Sequence, residues 1–473
     1  MPHTDQGQSP PLSEFVSDLP ACDILMQMDN MLEGGMENVV TEQAAFFAKR
    51  GYKAAILVLG EVGKGAEKAR SFGVHVCHFP YDEDGLERLI RHAGPKLVFA
   101  HYSVKGARIY AELDIPFVQV LHNAYAWFSD AQTAAFNQAI PWTSLFVAVS
   151  EAVREYSLAH FPIAAEKCVV ISNGIETRRF SGPKSQASRK RLRASYGFAP
   201  DDYLFLSVGS LVNVKRTMAA LKAFAHVRAL CPNSGLLIAG YPYSAEIVRE
   251  LTNSIEEYGL SGQVVYAGHN ASPEELYGMA DAFVHAAAIE GGQLTLLEAL
   301  AANLSIIITD VGFARHFAGL PGIAVVDGHF DYHASKITNE LFQTPAALVA
   351  DLSLAMLKTY RERKRPDLPA LCLDAMDNAA TYEAYLALAR GLISGKPAFC
   401  WEDWPARLPG PRVAPEVQDS EELHLRNHIL RVEAGEREKA ITERDARIHA
   451  LLQSRSWRLT APLRALGRFT RTS

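Results

Sequence analysis

The chain of 473 residues is long enough for two or three domains, each with its own core. Hydrophobic residues make up 48% and charged residues 21%, as in ordinary globular proteins, and the net charge of −6 argues against a general nucleic-acid binder. Six widely spaced cysteines form no C-x-x-C pair, which excludes a zinc framework and favours a reducing compartment. Without an apolar leader or a run of eighteen apolar residues, we expect a cytoplasmic protein with no signal peptide or membrane span.

The first half of the chain alternates apolar runs with amphipathic stretches. Between the first two runs, Met36, Val40 and Phe47 recur on one helical stripe. Apolar strands separated by such helices predict a parallel sheet that is covered on both faces. The predicted strands of this half are Cys22–Met28, Ala54–Leu59, Val74–Phe79, Leu97–Ala100, Pro116–Leu121 and Leu145–Val149.

Two glycines and two histidines follow predicted strands in this half. Gly34 and Gly35 come after the first strand, where a glycine lets a phosphate or an acceptor approach the backbone. His101 and His122 come directly after the fourth and fifth strands. The plainer interpretations are a tight turn and histidines that are hydrogen-bonded at strand ends.

A second series of strands and helices begins near Tyr203 and repeats the pattern without repeating the sequence. It predicts a second doubly wound sheet, and two such sheets predict a ligand crevice between them at the carboxyl ends of the strands. The halves are joined near Ile171–Ile175, where Asn-Gly is a turn signal. The predicted strands of this half are Tyr203–Val208, Gly235–Ala239, Val264–Ala267, Ala282–Ala286, Ser305–Thr309 and Ile323–Val326.

The stretch Glu290-Gly-Gly-Gln-Leu-Thr-Leu-Leu-Glu298 holds two carboxylates eight positions apart, after the apolar run Ala282–Ala287. Strand, glycine turn and helix follow one another, and the free N–H groups at such a helix start can bind phosphate. Glu290 at the strand end and Glu298 about two turns along the helix can accept hydrogen bonds from hydroxyls on either side of a diphosphate. This pattern predicts a nucleotide-sugar site, although two glutamates also reach this spacing by chance.

Several segments together resemble the retaining GT-B glycosyltransferases of family 4. Glu290–Ala302 is similar to the E-x7-E motif of that family, and Glu33–Val40 is similar to its G-G-x-E-x-x-V turn. Ser207–Arg216 resembles its V-G-R-L-x-x-x-K-G segment. The resemblance extends over about residues 20–395 with its motifs in the family order. It implies the GT-B fold, an α/β architecture of two Rossmann-like doubly wound domains that face a cleft, and the bacterial polysaccharide-assembly type.

The chain departs from the family text at three positions. Ala287 stands where a serine is usual, and Gln293 replaces the second glycine or proline of the loop. Ser210 stands where the family has an arginine, and a serine cannot offer a charged fork to a phosphate. Either Arg216 compensates for this loss, or Lys215 and the helix amides hold the diphosphate without a second cation.

The resemblance also implies roles for the residues that match its motifs. In the family, the residue that corresponds to Glu290 contacts sugar hydroxyls, and the one that corresponds to Glu298 contacts the ribose. The histidine that corresponds to His122 contacts the donor sugar. The predicted catalytic residues are Glu290, Lys215 and His122, the predicted acceptor-side residues are Gly34 and His101, and no metal ligand is predicted. The predicted donor-binding residues are Gly35, Gly209, Ser210, Lys215, Arg216, Glu290, Gly291, Gly292, Gln293, Leu294, Thr295 and Glu298.

The expected reaction is the retaining transfer of a sugar from a UDP- or GDP-linked donor to a hydroxyl of a glycan or lipid-linked glycan. Lys215 and the N–H groups around Gly291–Leu294 would stabilise the departing diphosphate, so we expect neither a metal nor a cofactor. Two alternatives remain open at this point. They are a catalytically inactive glycosyltransferase-like assembly protein and a GT-B-fold epimerase or hydrolase that acts on nucleotide-sugars.

Three other patterns are set aside. Gly60–Gly65 has the wrong spacing for a P-loop and no hydroxyl residue after its lysine. Asp82-Glu83-Asp84 has the form of a metal-binding D-x-D, but we expect a solvated acidic turn. His285 lacks partners at a metal-ligand spacing.

The C-terminal part is predicted to be a helical tail. Leu423 and Leu430 are seven positions apart, as are Ile441 and Ile448, which predicts a short, imperfect coiled coil over 421–452 and hence a homo-oligomer. Residues 446–473 hold six arginines and no acidic residue, which predicts docking on an anionic membrane, at the inner face of the cytoplasmic membrane, or on a membrane-bound partner. A disordered basic tip is the alternative.

The chain as a whole is predicted to have six parts. They are a disordered segment 1–20, an acceptor domain 21–175, a donor domain 176–375, a crossover helix 376–395, a Pro-rich linker 396–418, and a coiled coil with basic tail 419–473.

Overall fold

The structure, a computed structural model, describes residues 19–32, 34–181, 185–270, 272–329, 344–366, 368, 370–395 and 420–453. It contains two parallel sheets, one of seven strands and one of six, each covered by helices. The prediction of an α/β fold with two Rossmann-like sheets is therefore confirmed. Glu33 of the first glycine turn lies outside the described residues.

The first sheet has the strand order β3-β2-β1-β4-β5-β6-β7. Its direction of winding reverses between β1 and β4, and this switch point opens a crevice at the carboxyl ends of the strands. The elements of this domain are β1 (Ile24–Met28), α1 (Gly35–Lys49), β2 (Ala54–Val58), α2 (Lys64–Ser71), β3 (His75–His78), α3 (Glu83–Ala93), β4 (Leu97–His101), α4 (Ala107–Glu112), β5 (Phe117–Leu121), α5 (Asp130–Ala139), β6 (Leu145–Ala148), α6 (Glu151–His160) and β7 (Cys168–Val170), with short 3-10 turns at Ile140–Trp142 and Ala165–Lys167.

The second sheet has the order β10-β9-β8-β11-β12-β13, with its own switch point between β8 and β11. The elements are α7 (Thr177–Ser181), α8 (Gln186–Ser195), β8 (Tyr203–Val208), a 3-10 turn (Asn213–Lys215), α9 (Thr217–Val227), β9 (Ser234–Ala239), α10 (Ala245–Glu257), β10 (Val264–Tyr266), α11 (Pro273–Met279), β11 (Ala282–His285), α12 (Leu294–Ala301), β12 (Ser305–Thr309), α13 (Ala314–Phe317), β13 (Ile323–Val326), α14 (Ala346–Glu362), α15 (Ala370–Ala375), α16 (Asn378–Ser394) and α17 (Ser420–Gln453).

The central strands are buried on both faces because helices cover both sides of each sheet. All five residues of β1 and all five of β12 are buried, as their largely apolar sequences predicted. Strand ends differ from the predicted ends by one or two residues, as is usual for such boundaries. The seventh strand, Cys168–Val170, was not predicted, because a run of three residues gives no periodic signal.

Helix α16 returns the chain to the first domain after the second domain is complete. The ring of Tyr382 lies 5.6 Å from that of Phe46, and the ring of Tyr385 packs edge-on against Phe99 at 5.5 Å. Tyr382 also donates its hydroxyl to a carboxylate oxygen of Glu42 at 3.1 Å. These contacts tie the end of the second domain to the helix layer of the first.

Helix α17 packs against its own chain, on α9 and α14 of the second domain. Ile429 is completely buried, and the buried Glu433 binds Lys222 and His226, each at 3.0 Å. Arg426 donates to Asp351 at 2.8 Å. Because the buried positions are spaced by four residues, this part of α17 is an integral helix of the second domain.

The predicted coiled-coil positions lie elsewhere on α17. Leu423 is 44% exposed, and Leu430 is only partly buried against the second domain. The side chain of Ile441, the Pro-rich linker 396–418 and the residues after Gln453 lie outside the described part of the chain. Oligomerisation through α17 stays a prediction. Among the described helices, none combines the length and the apolarity needed to cross a membrane.

Replacing Ile429 by alanine is expected to loosen α17. The deletion leaves a cavity against α9 and α14 and lowers the opening free energy of the helix by about 2–4 kcal/mol. Amide hydrogen exchange within 422–436 measures this opening directly. Val432→Ala, at a position 36% exposed on the same helix, is the matched control and should change exchange by less than about 0.5 kcal/mol. Equal exchange in the two variants would show that the packing of α17 contributes no stability.

Candidate active site

The loop between β11 and α12 brings residues of both domains together. Ser150, which caps α6 of the first domain, donates its hydroxyl to the carbonyl oxygen of Gly291 at 2.6 Å. A Cβ atom at Gly291 would lie 1.9 Å from the carbonyl oxygen of His122. Only a glycine permits this approach, so the loop that carries Glu290 lies directly against the strand end that carries His122.

Glu290 is the centre of a buried polar cluster. It is 7% exposed, and its Oε1 atom accepts a hydrogen bond from Nζ of Lys215. The same oxygen lies 2.7 Å from Nε2 of His285. Two groups that are 75 and 5 positions away in sequence thus meet on one carboxylate oxygen.

This cluster keeps Glu290 ionised. Burial alone would raise the pKa of the carboxyl, but the charge of Lys215 and the hydrogen bond from His285 outweigh it and lower the pKa to about 2. The carboxylate therefore carries a full negative charge throughout the physiological range of pH. Such a group can stabilise a developing cation and accept hydrogen bonds, but it cannot act as a general acid there.

Lys215 and Arg216 point in different directions. Lys215 ends the 3-10 turn after β8 and keeps 24% of its side chain exposed. Arg216 has a left-handed backbone, with φ of 48°, at the position where the family text has a glycine. Its buried guanidinium donates to the carbonyl oxygen of Gly328 at 2.6 Å and does not face Glu290. The exposed Ser210 supplies no charge either, so Lys215 is the cation that this segment offers to the cleft.

The start of α12 is rigid and opens on the cleft. The side chain of Gln293 donates to the carbonyl oxygen of Val311 and accepts from the amide of Phe313, each at 2.8 Å. Its amide is thus used to hold the loop, and no side chain in the described part of the chain caps the helix. The amides of Leu294 and Thr295 belong to the first turn, where helix N–H groups have no intrahelical acceptor. Gly35 of the first domain lies 3.7 Å from Leu294, measured from its ideal Cβ position.

Glu298 lies on α12 and is held by a tyrosine. The hydroxyl of Tyr277, on α11, donates to Oε2 of Glu298 at 2.7 Å. Burial raises the pKa of Glu298, although the hydrogen bond from Tyr277 opposes this. The second carboxylate of the motif is thus less strongly acidic than the first. Gly209 lines a small pocket together with Lys215 and His285, and Gly292 packs against Phe313.

Two histidines of the first domain form a pair at the opposite wall. Nδ1 of His101 lies 2.8 Å from Nε2 of His122, and the ring of Tyr102 stacks on His122 at 5.6 Å. Burial lowers the pKa of His122 to about 4 and that of His101 well below its usual value. Both rings are therefore neutral at neutral pH, and His122 can donate or accept a hydrogen bond without bringing charge. Gly34 lies in the turn beneath, beside the carboxylate of Glu37.

The structure also accounts for the patterns that were set aside. Asp82 is the N-cap of α3 and accepts from the amide of Gly85 at 2.8 Å, so this acidic segment is exposed to solvent, as expected, but it begins a helix. Over the described ranges, no cluster of three His, Cys, Asp or Glu residues could hold a metal ion. Sequence reasoning set His285 aside, and its bond to Glu290 arises only because the loop after β11 folds back. It missed Tyr277 and Ser150, because each contacts a residue outside its own segment.

Two facing Rossmann-like domains, with a glycine turn on one wall and a carboxylate pair on the other, define the GT-B glycosyltransferase fold. Residues 33–179 match the family described as Glycosyltransferase Family 4, and residues 188–324 match that described as Glycosyl transferases group 1. The chain therefore has a GT-B fold, with a first domain like that of family 4 and a second domain like that of group 1.

A solved structure shows the same fold. HepE of Anabaena in complex with UDP aligns with a TM-score of 0.60 at 18% identity, over 77% of this chain and 98% of its own. The complex of HepE with UDP-glucose aligns with a TM-score of 0.58 at 17% identity, over 79% of this chain and 100% of its own. Identities this low establish likeness of fold and leave the ligand of this chain to be inferred.

Curated relatives match over shorter segments. The alpha-monoglucosyldiacylglycerol synthase of Streptococcus pneumoniae is 32% identical over 162 residues, which cover 33% of this chain and 35% of that protein. The putative teichuronic acid biosynthesis glycosyltransferase TuaC of Bacillus subtilis is 25% identical over 235 residues, 47% of this chain and 56% of its own length. The chain thus spans about a third to about half the length of these relatives.

Proposed function

We propose that the protein is a retaining glycosyltransferase that uses a nucleoside-diphosphate sugar. In the proposed reaction, the bond between the anomeric carbon and the β-phosphate oxygen breaks, and a bond from that carbon to the acceptor oxygen forms on the same face. The leaving phosphate oxygen takes the proton of the acceptor hydroxyl. The products are the nucleoside diphosphate and the glycosylated acceptor.

The observation that carries this proposal is the contact of Glu290 with Lys215 and His285, at the start of α12 and against the strand end of His122. A nucleotide-sugar has a dianionic diphosphate next to a sugar that becomes cationic as the bond breaks. Lys215 and the first amides of α12 suit the diphosphate, and the ionised Glu290 suits the sugar. The cationic Lys215 and the anionic Glu290 lie next to each other, as the diphosphate and the sugar do in a nucleotide-sugar.

The same arrangement supports a reaction without a metal ion or an organic cofactor. Departure of the diphosphate builds negative charge on the β-phosphate, and Lys215 with the helix amides can stabilise that charge by preorganised electrostatics. His122 is neutral and can bond a sugar hydroxyl without repelling the cationic ring. We assign the acceptor side to the first domain, at Gly34 and His101; because His101 is completely buried, it acts there through its contact with His122.

The donor nucleotide is proposed as UDP or GDP, and the acceptor as a glycan or a lipid-linked glycan in the synthesis of bacterial surface polysaccharides. The structures of HepE with UDP and with UDP-glucose support a nucleotide-sugar donor. The names of the relatives, a glucosyldiacylglycerol synthase and a teichuronic acid glycosyltransferase, support a cell-surface acceptor.

The proposal is tested by the anomeric configuration of the product. Incubation with an active donor and acceptor, followed by NMR of the new glycosidic linkage, should give the configuration of the donor. The same rate should persist after treatment with EDTA. An inverted product would refute the retaining mechanism, and activity that is lost with EDTA and restored by a divalent ion would refute metal independence.

Glu298→Ala is expected to weaken donor binding. If Glu298 accepts hydrogen bonds from the ribose hydroxyls, its loss removes charge-assisted bonds of about 1.5–3 kcal/mol and raises the Kd of the nucleotide about 10- to 100-fold. Isothermal titration with UDP and GDP measures this. Glu257→Ala, at an exposed position at the end of α10, is the matched control and should bind normally. An unchanged Kd in the Glu298 variant would remove Glu298 from the ribose site.

We also propose that the basic segment 446–473 docks the enzyme on an anionic membrane surface, near a lipid-linked acceptor. Its arginines and large apolar residues suit reversible, salt-sensitive binding. Truncation after Gln453 keeps the packing of α17 and should abolish co-sedimentation with vesicles of phosphatidylglycerol while activity on a soluble acceptor persists. Equal sedimentation of the full-length and truncated proteins would refute membrane docking and favour a protein partner.

A further inference from the structure

His285 lies inside the proposed donor site, and no step of the proposed reaction is assigned to it. It ends β11 and is 3% exposed. Its ring stacks nearly parallel on the fully buried ring of Phe283, with centroids 5.8 Å apart and planes 14° apart. The imidazole is therefore fixed by packing before any ligand binds.

The contact of His285 with Glu290 has a defined direction. An ionised carboxylate only accepts hydrogen bonds, so Nε2 of His285 carries the proton across the 2.7 Å contact. Lys215 donates to the same oxygen, Oε1. Glu290 thus accepts from a charged, partly exposed side chain and from a buried, stacked ring.

The two hydrogen-bond donors to Glu290, Lys215 and His285, respond differently when a nucleotide-sugar binds. A diphosphate carries more negative charge than one carboxylate, so it competes with Glu290 for the ammonium of Lys215. Glu290 is buried, and a buried carboxylate that loses its cation either takes up a proton or moves toward water. Either change would remove the negative charge that the cationic sugar needs. The ring of His285 does not face this competition, since it is 3% exposed and stacked on Phe283, whereas 24% of the Lys215 side chain is exposed.

We propose that His285 is a positioning residue, which keeps Glu290 ionised and in place when the diphosphate of the donor takes Lys215. The inference rests on the proposed function, because it gives Glu290 and Lys215 the roles assigned there. It adds an ordered exchange of partners: Lys215 passes from Glu290 to the diphosphate, and His285 keeps its bond to Glu290 throughout.

The kinetic test compares two replacements of His285. His285→Leu removes the hydrogen-bond donor to Glu290. At saturating nucleotide-sugar it should lower kcat about 10- to 100-fold, which corresponds to the loss of one charge-assisted hydrogen bond. The KM for the nucleotide-sugar should stay within about threefold of the wild-type value. His285→Gln places an amide N–H near the position of Nε2 and should restore most of kcat. A leucine variant with wild-type kcat, or a glutamine variant as slow as the leucine variant, overturns the inference. If the leucine variant does not fold, His285→Asn, whose amide is too short to reach, takes its place.

A second measurement does not depend on turnover. Binding of UDP, and in parallel GDP, is followed by calorimetry from pH 5 to 8 in buffers of different ionisation enthalpy, which reports proton uptake. The leucine variant should take up more protons on binding than the glutamine variant as the pH falls, because its Glu290 loses the charge of Lys215 and also lacks the bond from position 285. Neither variant carries an imidazole there, and ionisation of the nucleotide phosphate is common to both. Tyr102 also faces Glu290, but burial raises the pKa of its phenol, so it does not titrate in this range.

The outcomes separate the two hypotheses. Proton uptake that is equal in the leucine and glutamine variants overturns the role of His285 and leaves the proposed function intact. Wild type that binds neither UDP nor GDP overturns the proposed function, and the inference falls with it.

Discussion

Replacing Glu290 by glutamine is expected to lower kcat about 100- to 1,000-fold while UDP or GDP binds at least as tightly as to wild type. Glutamine has the same shape but no charge, so the cationic sugar loses its counter-charge only as the bond breaks. In the unliganded protein, the carboxylate of Glu290 holds Lys215, and the neutral side chain would release that cation to the diphosphate. The change therefore moves kcat and nucleotide affinity in different directions, or leaves affinity alone.

Steady-state kinetics and titration of the same variant check both parts of this result. Glu298→Gln is the matched control, since it alters the other carboxylate of the motif and should act on nucleotide affinity more than on kcat. A Glu290 variant that keeps wild-type kcat would show that its charge plays no part in the reaction. One that loses nucleotide binding and kcat together would show that Glu290 builds the site and does not act on the sugar.

Lys215→Ala should have a comparable or larger effect, a fall in kcat/KM of about 1,000-fold. The variant loses the cation that faces the cleft from this segment, because Arg216 is committed to Gly328 and Ser210 is neutral. Nucleotide affinity should fall as well, since the diphosphate is bound in the ground state and in the transition state. Lys190→Ala, at an exposed position of α8, is the matched control and should behave as wild type.

The Lys215 variant should also show a pH signature. Lys215 is the main group that lowers the pKa of Glu290, so its removal raises that pKa from about 2. Glu290 acts as an anion, which exists above its pKa, so residual activity in the variant should fall at a higher pH than in wild type as the solution is acidified. A pH–rate profile with an unchanged acidic limb would contradict the role given to Lys215 in keeping Glu290 charged.

The fold was predictable from local patterns because both domains are built from buried parallel strands. Apolar runs such as Ser305–Thr309 are continuous where helices cover both faces, and their bounds agree with β12. The edge strand Cys168–Val170 has only three residues and gives no period, so it could not be read from the sequence. The local sequence pattern was therefore sufficient to predict the other strands, but not the short edge strand of the first sheet.

The candidate site was predictable only in part. Glu290 and Glu298 follow from strand, turn and helix, which are local. Lys215 entered the predicted site through the family motifs, but its bond to Glu290, 75 positions away, was not predicted. The bond from His285 arises because the loop after β11 folds back on the strand that it leaves, which spacing does not reveal.

Arg216 and α17 show two further limits. The left-handed backbone at Arg216 sends its side chain to Gly328, 112 positions away, and no pattern in the sequence specifies a backbone of that kind at an arginine. In α17, Leu423 and Leu430 suggested a heptad, whereas Ile429 and Glu433 at a spacing of four face the second domain. The second spacing was present in the sequence, but its partners on α9 and α14 were not visible there.

The most direct test of the central claim is nucleotide release from a panel of UDP- and GDP-sugars, with and without candidate glycan and lipid-linked acceptors. Transfer predicts that one donor releases its nucleotide only when an acceptor is present, and that Glu290→Gln abolishes this release. Release without any acceptor would identify a hydrolase. Failure of every nucleotide-sugar to bind would contradict the account and leave an inactive assembly protein.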